Sequence, residues 1–216
     1  MAAVTLEQAR EFYRDADPAH DFDHVLRVLA LAERIGTAEG ADLELLRPAV
    51  LLHDIGRPEE LASGRCHAEA GAEKARGILR DWPPEMVEQI AQAIAAHRFR
   101  NGIVPQTLEA KVLFDADKLD SIGAIGVARA YVIGGLTGQR LWGEVEPGYA
   151  DAQRVGLLSS RQRQSSAHTP VHEFAFKLSR IKDILFTPTA REMAADRHFF
   201  MSEFFTRLDR EVRGEL

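Results

Sequence analysis

The run Val50-Leu51-Leu52-His53-Asp54-Ile55-Gly56-Arg57 constrains this chain more than any other stretch. An apolar segment delivers a histidine and an aspartate side by side and then meets a glycine. Leu43, Leu46, Val50 and His53 stand at helical offsets, so the histidine extends a stripe that packs inward. Gly56 reads as the C-cap, which puts the His-Asp pair in the last helical turn. Free carbonyls and the negative end of the helix dipole favour a cation there. A neutral imidazole beside a carboxylate is half of a site for a divalent transition metal. The rest of the chain has to supply the other half.

The pattern recurs. Val87, Ile90, Ile94 and His97 repeat the same offsets, and His24, Val28, Leu31 and Ile35 share a face of an earlier helix. Farther on, Asp115, Asp117 and Asp120 sit within an apolar helical run, where buried carboxylates need partners or a metal. The candidate ligands are His24, His53, Asp54 and one aspartate of that cluster. Such a set suits manganese, iron, cobalt, nickel or zinc better than calcium. Spacing alone leaves a metal site and a buried polar network as alternatives.

The organisation is all-α. A short helix is expected from about Thr5, its N-cap, to Asp15, and a second one through His24, broken by Gly36 and Gly40. The third runs from Asp42 to the His-Asp pair, with a kink or a fresh start at Pro48. A polar loop over 56–66 leads to a helix over 67–80, and Pro84 opens the helix that ends at His97. Thr107 caps a helix expected to run through Ile122 and Ile125 to about Ile133. From about 134 to 170 the periodicity vanishes in a long polar loop, read as a solvated segment or a lid, with Arg154, Arg161 and Arg163 as candidate phosphate contacts. Phe174, Leu178, Ile181 and Leu185 share a face. Thr189 with Glu192 reads as a capping box for the last helix, whose core face is Met193, Phe200, Phe204 and Leu208. No strand pattern, repeat or domain boundary is visible, so residues 1–216 are expected to form one compact domain with C-terminal helices.

Bulk properties narrow the function. With 45% hydrophobic and 28% charged residues among 216, the chain is globular and long enough for a real core. A net charge of −6 argues against extended nucleic acid as partner, while local clusters such as Arg98 and Arg100 still suit a small phosphorylated ligand. One cysteine, Cys66, excludes an internal disulfide and a Cys-rich zinc module. No signal peptide or membrane span is expected, and the expected location is the cytoplasm, as monomer or homodimer.

The ordered set His24 … His53-Asp54 … Asp117 resembles the H…HD…D signature of the HD-domain metal-dependent phosphohydrolases. The flanks are similar too: His20-Asp21-Phe22-Asp23-His24, Leu51-Leu52-His53-Asp54-Ile55-Gly56, Phe114-Asp115-Ala116-Asp117-Lys118-Leu119-Asp120, and the segments at His97-Arg98-Phe99-Arg100 and Gly123–Ala130. Together they look like the small stand-alone bacterial branch, over about residues 5–210. The HD dipeptide alone is weak. The ordered set with its flanks is specific.

This resemblance implies a compact HD helical array in which His24, His53, Asp54 and Asp117 hold one divalent metal, manganese first, with nickel, cobalt, iron, zinc or magnesium as alternatives. It selects Asp117 over Asp115, which is left as a solvated or supporting carboxylate. It implies catalytic roles for Asp54, His67 and Lys118. Arg27, His97, Arg98, Arg100, Lys118 and Lys177 are the expected substrate contacts. Glu59, Glu60 and His67 are all candidates for the proton relay. His67 and His97 resemble extra ligands of two-metal relatives, although no lysine follows Gly56 and no His-His pair stands at 97–98, so a second metal is left open. The implied substrate is a small nucleotide, first a nucleoside or deoxynucleoside triphosphate cleaved to monophosphate and pyrophosphate. A 5′-nucleotidase, a cyclic (di)nucleotide phosphodiesterase and a nucleotide-sensing module are the alternatives.

Overall fold

Polar residues at helix starts define the elements of the computed structural model, which describes residues 4–14, 21–98, 102–149 and 168–216. Thr5 and Gln8 form a capping box at the head of α1 (Leu6–Glu11). Asp21 accepts from the His24 amide at the head of α2 (Phe22–Glu39), and Asp42 accepts from the Glu44 amide at the head of α3 (Leu43–Leu52). Then follow α4 (Arg57–Ser63), α5 (His67–Ile78), α6 (Pro84–Ala96), α7 (Leu108–Asp120), α8 (Gly123–Leu136) and α9 (Pro170–Phe176). A 3-10 segment (Leu178–Asp183) precedes α10 (Pro188–Val212). The described residues are all-α, without a strand. Among them no single helix is long and apolar enough to cross a membrane.

Contacts divide the chain into two compact units, residues 1–118 with 185–190, and residues 119–184 with 191–216. In the first unit α3 packs on α2 and α6, α6 on α5, and α5 on α4. Its core is Val25, Val28, Ala32 and Ile35 of α2, Leu46, Val50 and Leu52 of α3, and Ile90 and Ile94 of α6, all fully or almost fully buried. The face that α5 presents is made of Ala68, Ala72 and Ala75 with Gly71, small residues that permit close approach. In the second unit Phe174 and Phe205 stack at 4.5 Å, and Arg129 pairs with buried Asp120 at 3.1 Å.

Several expectations change. Gly36 does not end α2; it is buried against Leu46, where a Cβ would come within 2.7 Å of Leu46 Cδ2, and the helix stops at left-handed Gly40 (φ 80°). Pro48 sits inside a continuous α3. The loop expected over 56–66 contains α4, with Pro58 in its first turn, where the missing N–H is harmless. The long helix expected through Ile133 breaks after Asp120, because Ile122 is extended and Gly123 adopts φ 79°. α8 then runs to Leu136, so the first residues of the expected loop are helical; 150–167, with Arg154, Arg161 and Arg163, lie outside the described residues.

Thr187, not Thr189, caps α10: its hydroxyl accepts from the Ala190 amide, while the Thr189 amide goes to Glu39. The buried face of α10 is correspondingly Ala190, Ala194, Met201 and Phe205, and Phe200 is exposed. Asp115 is not solvated. It is fully buried and accepts from the amides of Phe186 and Thr187 at 2.9 and 2.7 Å and from the Thr187 hydroxyl at 2.7 Å. One carboxylate thus holds the turn that starts α10. Asp115→Ala strands those donors, and we expect a loss of about 3 kcal/mol, read as a lower urea midpoint with an unchanged slope.

Candidate metal centre

The HD pair lies one residue beyond the end of α3. His53 is the C-cap, and residues 53–56 form a tight turn that feeds directly into α4, so Gly56 is the N-cap of the next helix (φ −87°) and not a left-handed stop. Its glycine is needed for a different reason. A Cβ there would stand 2.2 Å from the His67 carbonyl oxygen and 2.5 Å from the Gly71 amide nitrogen. Gly71 repays the approach from the other side, since its own Cβ would meet the His53 carbonyl at 3.1 Å. Backbone contact between the 53–56 turn and α5 is what carries His67 to the HD pair.

The matching stripes of α3 and α6 end in matching geometry. His53 and His97 are both C-cap residues, and each donates its Nδ1 proton to the carbonyl three residues back, Val50 at 2.7 Å and Ile94 at 2.6 Å. That bond fixes the tautomer and leaves Nε2 as a bare lone pair aimed inward. His67 donates Nδ1 to Glu60 Oε2 at 2.6 Å, with the same result.

Asp54, 1% exposed, stands between the imidazoles with one oxygen for each group. Oδ2 lies 3.8 Å from His24 Nε2 and 3.6 Å from His53 Nε2; Oδ1 lies 3.5 Å from both His67 Nε2 and His97 Nε2. Asp117 Oδ1 completes the first side at 3.5 Å from His24 Nε2. Donor atoms of His24, His53 and Asp117 lie within 4.8 Å of one another, as do those of Asp54, His67 and His97. Either group is compact enough to hold a metal ion, and all these residues belong to the first unit.

The donor set fits a cation. Among the described residues, His53 Nε2 and Asp54 Oδ1 are buried with no hydrogen-bond partner. The Nε2 atoms of His67 and His97 face each other at 3.2 Å with both Nδ1 protons already committed. Two lone pairs at that distance repel unless positive charge lies between them. Burial pushes His53 down to about 4, with Asp54 opposing, and burial with the neighbouring His97 pushes His67 down to about 4. Both are therefore neutral near pH 7, the form that binds metal. Burial acts to raise Asp54 and Asp117, yet both are held well below the usual carboxylate range. His53 and Arg57 outweigh it at Asp54; Lys118 and His24 do so at Asp117.

Each carboxylate at the centre also has a fixed cation. Arg57 Nε bonds Asp54 Oδ2 at 2.5 Å, Lys118 Nζ bonds Asp117 Oδ2 at 2.5 Å, and Arg98 reaches Glu60 Oε1 at 2.7 Å. Arg57, which the sequence reading does not single out, stands three residues after Asp54. Arg27 is half-buried on α2, one turn beyond His24. Glu59 pairs with Lys74 instead of the site. Lys177 is in the second unit, paired with Glu173 at 2.9 Å. Arg100 lies outside the described residues.

Comparison with known proteins agrees with this geometry. The HD domain model matches residues 21–122. Over 202 residues the chain is 31% identical to the uncharacterized protein YpgQ of Bacillus subtilis, covering 93% of this chain and 88% of that one. It belongs to the HD family of metal-dependent phosphohydrolases. The crystal structure of YpgQ in complex with ADP superposes on this HD protein with a TM-score of 0.73 at 30% identity, over 97% of this chain and 99% of that one. A predicted HD superfamily hydrolase from an uncultured Thermotogales bacterium gives 0.65 at 32% identity, covering 95% and 90%. Ribonuclease Y of Treponema denticola is 30% identical over 112 residues, which span 52% of this chain and only 20% of that enzyme.

For the HD protein stripped with EDTA, we expect manganese to raise thermal stability, by about 2.7 kcal/mol at a hundredfold excess over Kd. Asp54→Ala, which touches both groups, should remove the shift, whereas His24→Ala should leave part of it. Scanning fluorimetry reads both.

Proposed function

We propose that this HD protein hydrolyses nucleoside or deoxynucleoside triphosphates to the monophosphate and pyrophosphate, with manganese as the working ion. The observation that carries this reading is the charge pairing at the centre. Asp54, Asp117 and Glu60 are already matched by Arg57, Lys118 and Arg98. A divalent ion held by His24, His53, Asp54 and Asp117 therefore adds positive charge with no protein counterion left, and an anionic phosphate is the ligand that balances it. The ADP bound to YpgQ supports a nucleotide as that ligand. A net charge of −6 favours a free nucleotide over an extended nucleic acid.

The cation, when bound, acts as a Lewis acid on phosphoryl oxygen and brings a water pKa to about 7 if zinc-like. The chain's residues do the rest. Asp54 spans both groups and keeps them in register. Lys118, beside Asp117, supplies positive charge for the equatorial oxygens of the transferring phosphoryl group, with Arg27, His97, Arg98 and Arg100 as further substrate contacts. Neutral His67 accepts the proton of the attacking water when its own group carries no ion, and is a ligand when it does. One oxygen–phosphorus bond forms at the α-phosphorus and the α–β bridging bond breaks, with the electron pair leaving on pyrophosphate.

Phosphorus NMR with manganese and a deoxynucleoside triphosphate tests it. We expect pyrophosphate and monophosphate to appear together, and Asp117→Ala to slow their release at least about a hundredfold. Orthophosphate as the sole inorganic product, or no turnover with metal bound, overturns the triphosphate reading and directs attention to monophosphates and cyclic dinucleotides.

A further inference from the structure

Of the three tyrosines in the chain, two have phenols that the fold makes poor nucleophiles. Tyr13 is buried and donates its hydroxyl to the Leu51 carbonyl at 3.0 Å, and burial pushes its pKa well above the ordinary value. The Tyr131 hydroxyl is buried without a hydrogen-bond partner among the described residues, and burial raises its pKa too. Tyr149 differs from both. It is half-buried, and its hydroxyl lies 2.7 Å from His168 Nδ1.

His168 is oriented in turn by a carboxylate. Its Nε2 lies 3.2 Å from Glu173 Oε2, and Lys177 Nζ holds the other oxygen of Glu173 at 2.9 Å. Burial acts to raise the pKa of Glu173, yet Lys177 and His168 hold it at about 2, so Oε2 only accepts. The Nε2 proton therefore points to Glu173, and Nδ1 is the lone pair that receives the phenol proton. His172 packs edge-on against the Tyr149 ring at 4.7 Å, with its own Nδ1 engaged by the Thr169 hydroxyl at 2.8 Å. Burial, His168 and Arg140 keep its pKa below the ordinary value, so it braces the phenol as a neutral ring. All of these residues belong to the second unit.

We propose that Tyr149 is a nucleophilic tyrosine, a modification site for electrophilic phosphorus, at which His168 oriented by Glu173 acts as the general base. A hydroxyl bonded to an imidazole whose far nitrogen bonds a carboxylate is the arrangement that activates hydroxyl nucleophiles. The phenol oxygen bonds to phosphorus, and the bond to the leaving group breaks with its electron pair. The phenol proton passes to His168 Nδ1. The inference is independent of the metal centre and of the triphosphate reading.

Labelling of the full chain with diisopropyl fluorophosphate, read by intact mass and peptide mapping, tests it. Here fluoride is the leaving group and an aryl phosphate is the product. We expect the main adduct on Tyr149, formed about 100-fold faster than on N-acetyltyrosinamide at the same pH. Between about pH 7.5 and 9 the wild-type rate should be nearly flat, whereas a phenol without a base gains about tenfold per unit below its pKa of about 10. Tyr149→Phe should abolish the adduct, and His168→Gln should slow it about 100-fold with an unchanged circular dichroism spectrum. Glu173→Gln presents an amide N–H to Nε2 and draws the ring proton onto Nδ1, so it should slow labelling at least about tenfold. The sign separates a base from a brace, because loosening a merely structural cluster exposes Tyr149 and raises its labelling. Labelling no faster than the free amide, a rate that keeps climbing through that pH range, or equal or faster labelling in His168→Gln overturns the proposal. If His168→Gln does not fold, the wild-type pH profile decides.

Discussion

A carboxylate with 1% exposure is the constraint around which the first unit is arranged. An isolated charge so placed is prohibitively unfavourable, and Asp54 is tolerated because positive and polarisable groups surround it. Arg57 comes from the helix that follows the HD turn, His53 from its immediate neighbour, His24 from α2, His67 from α5 and His97 from the end of α6. The helices that make the apolar core are thus the ones that deliver the counter-groups. Core packing and site assembly are one event in this fold, since Val50 and Ile94 are core residues whose carbonyls also orient the ligand imidazoles.

Convergence of that many side chains requires backbones to approach more closely than ordinary residues permit. Gly56 and Gly71 provide the approach at the contact between the HD turn and α5, and the alanines of α5 extend it. A larger residue at Gly56 would displace the His67 carbonyl and with it the start of α5. Glycine is used there for space at a negative φ, whereas Gly40 and Gly123 are used for positive φ at helix ends. The two uses look alike in a sequence. Gly56 therefore reads as a stop, whereas its role depends on a contact eleven to fifteen residues away.

Legibility followed the range of the interaction. The paired stripes ending in His53 and His97 are local and periodic, and they led to the right helices and the right faces. Asp42 at the head of α3 follows from chemistry within one turn. Asp115 could not be separated from Asp117 by spacing, because its partners, Phe186 and Thr187, are more than seventy residues away. The α7 break is invisible to apolar periodicity, since Ile122 and Ile125 suit a continuing helix, and it comes from the extended backbone of Ile122 and the left-handed Gly123. Arg57 is obscured by the expectation of a loop, and Glu60 is legible only as one of three candidates for the proton relay: once 57–63 is helical, both stand on its first turn, Arg57 against Asp54 and Glu60 against His67.

Spacing left two accounts of the buried polar residues, a metal centre or a self-satisfied network, and counting donors against acceptors separates them. A dry network needs a donor for every inward lone pair. Here the Nδ1 protons of His53, His67 and His97 are used on Val50, Glu60 and Ile94. The inward-facing atoms that remain on these rings, the Nε2 atoms of His53, His67 and His97, and Asp54 Oδ1 beside them, are all acceptors. Arg57 and Lys118 donate to the Oδ2 atoms of Asp54 and Asp117, on other lone pairs. Protonating the rings would supply donors, but burial holds His53 and His67 near 4, so neutral solution does not provide those protons. An array of converging acceptors without donors is stabilised by a cation, and the mixed imidazole and carboxylate composition matches a divalent transition metal better than an alkaline-earth ion.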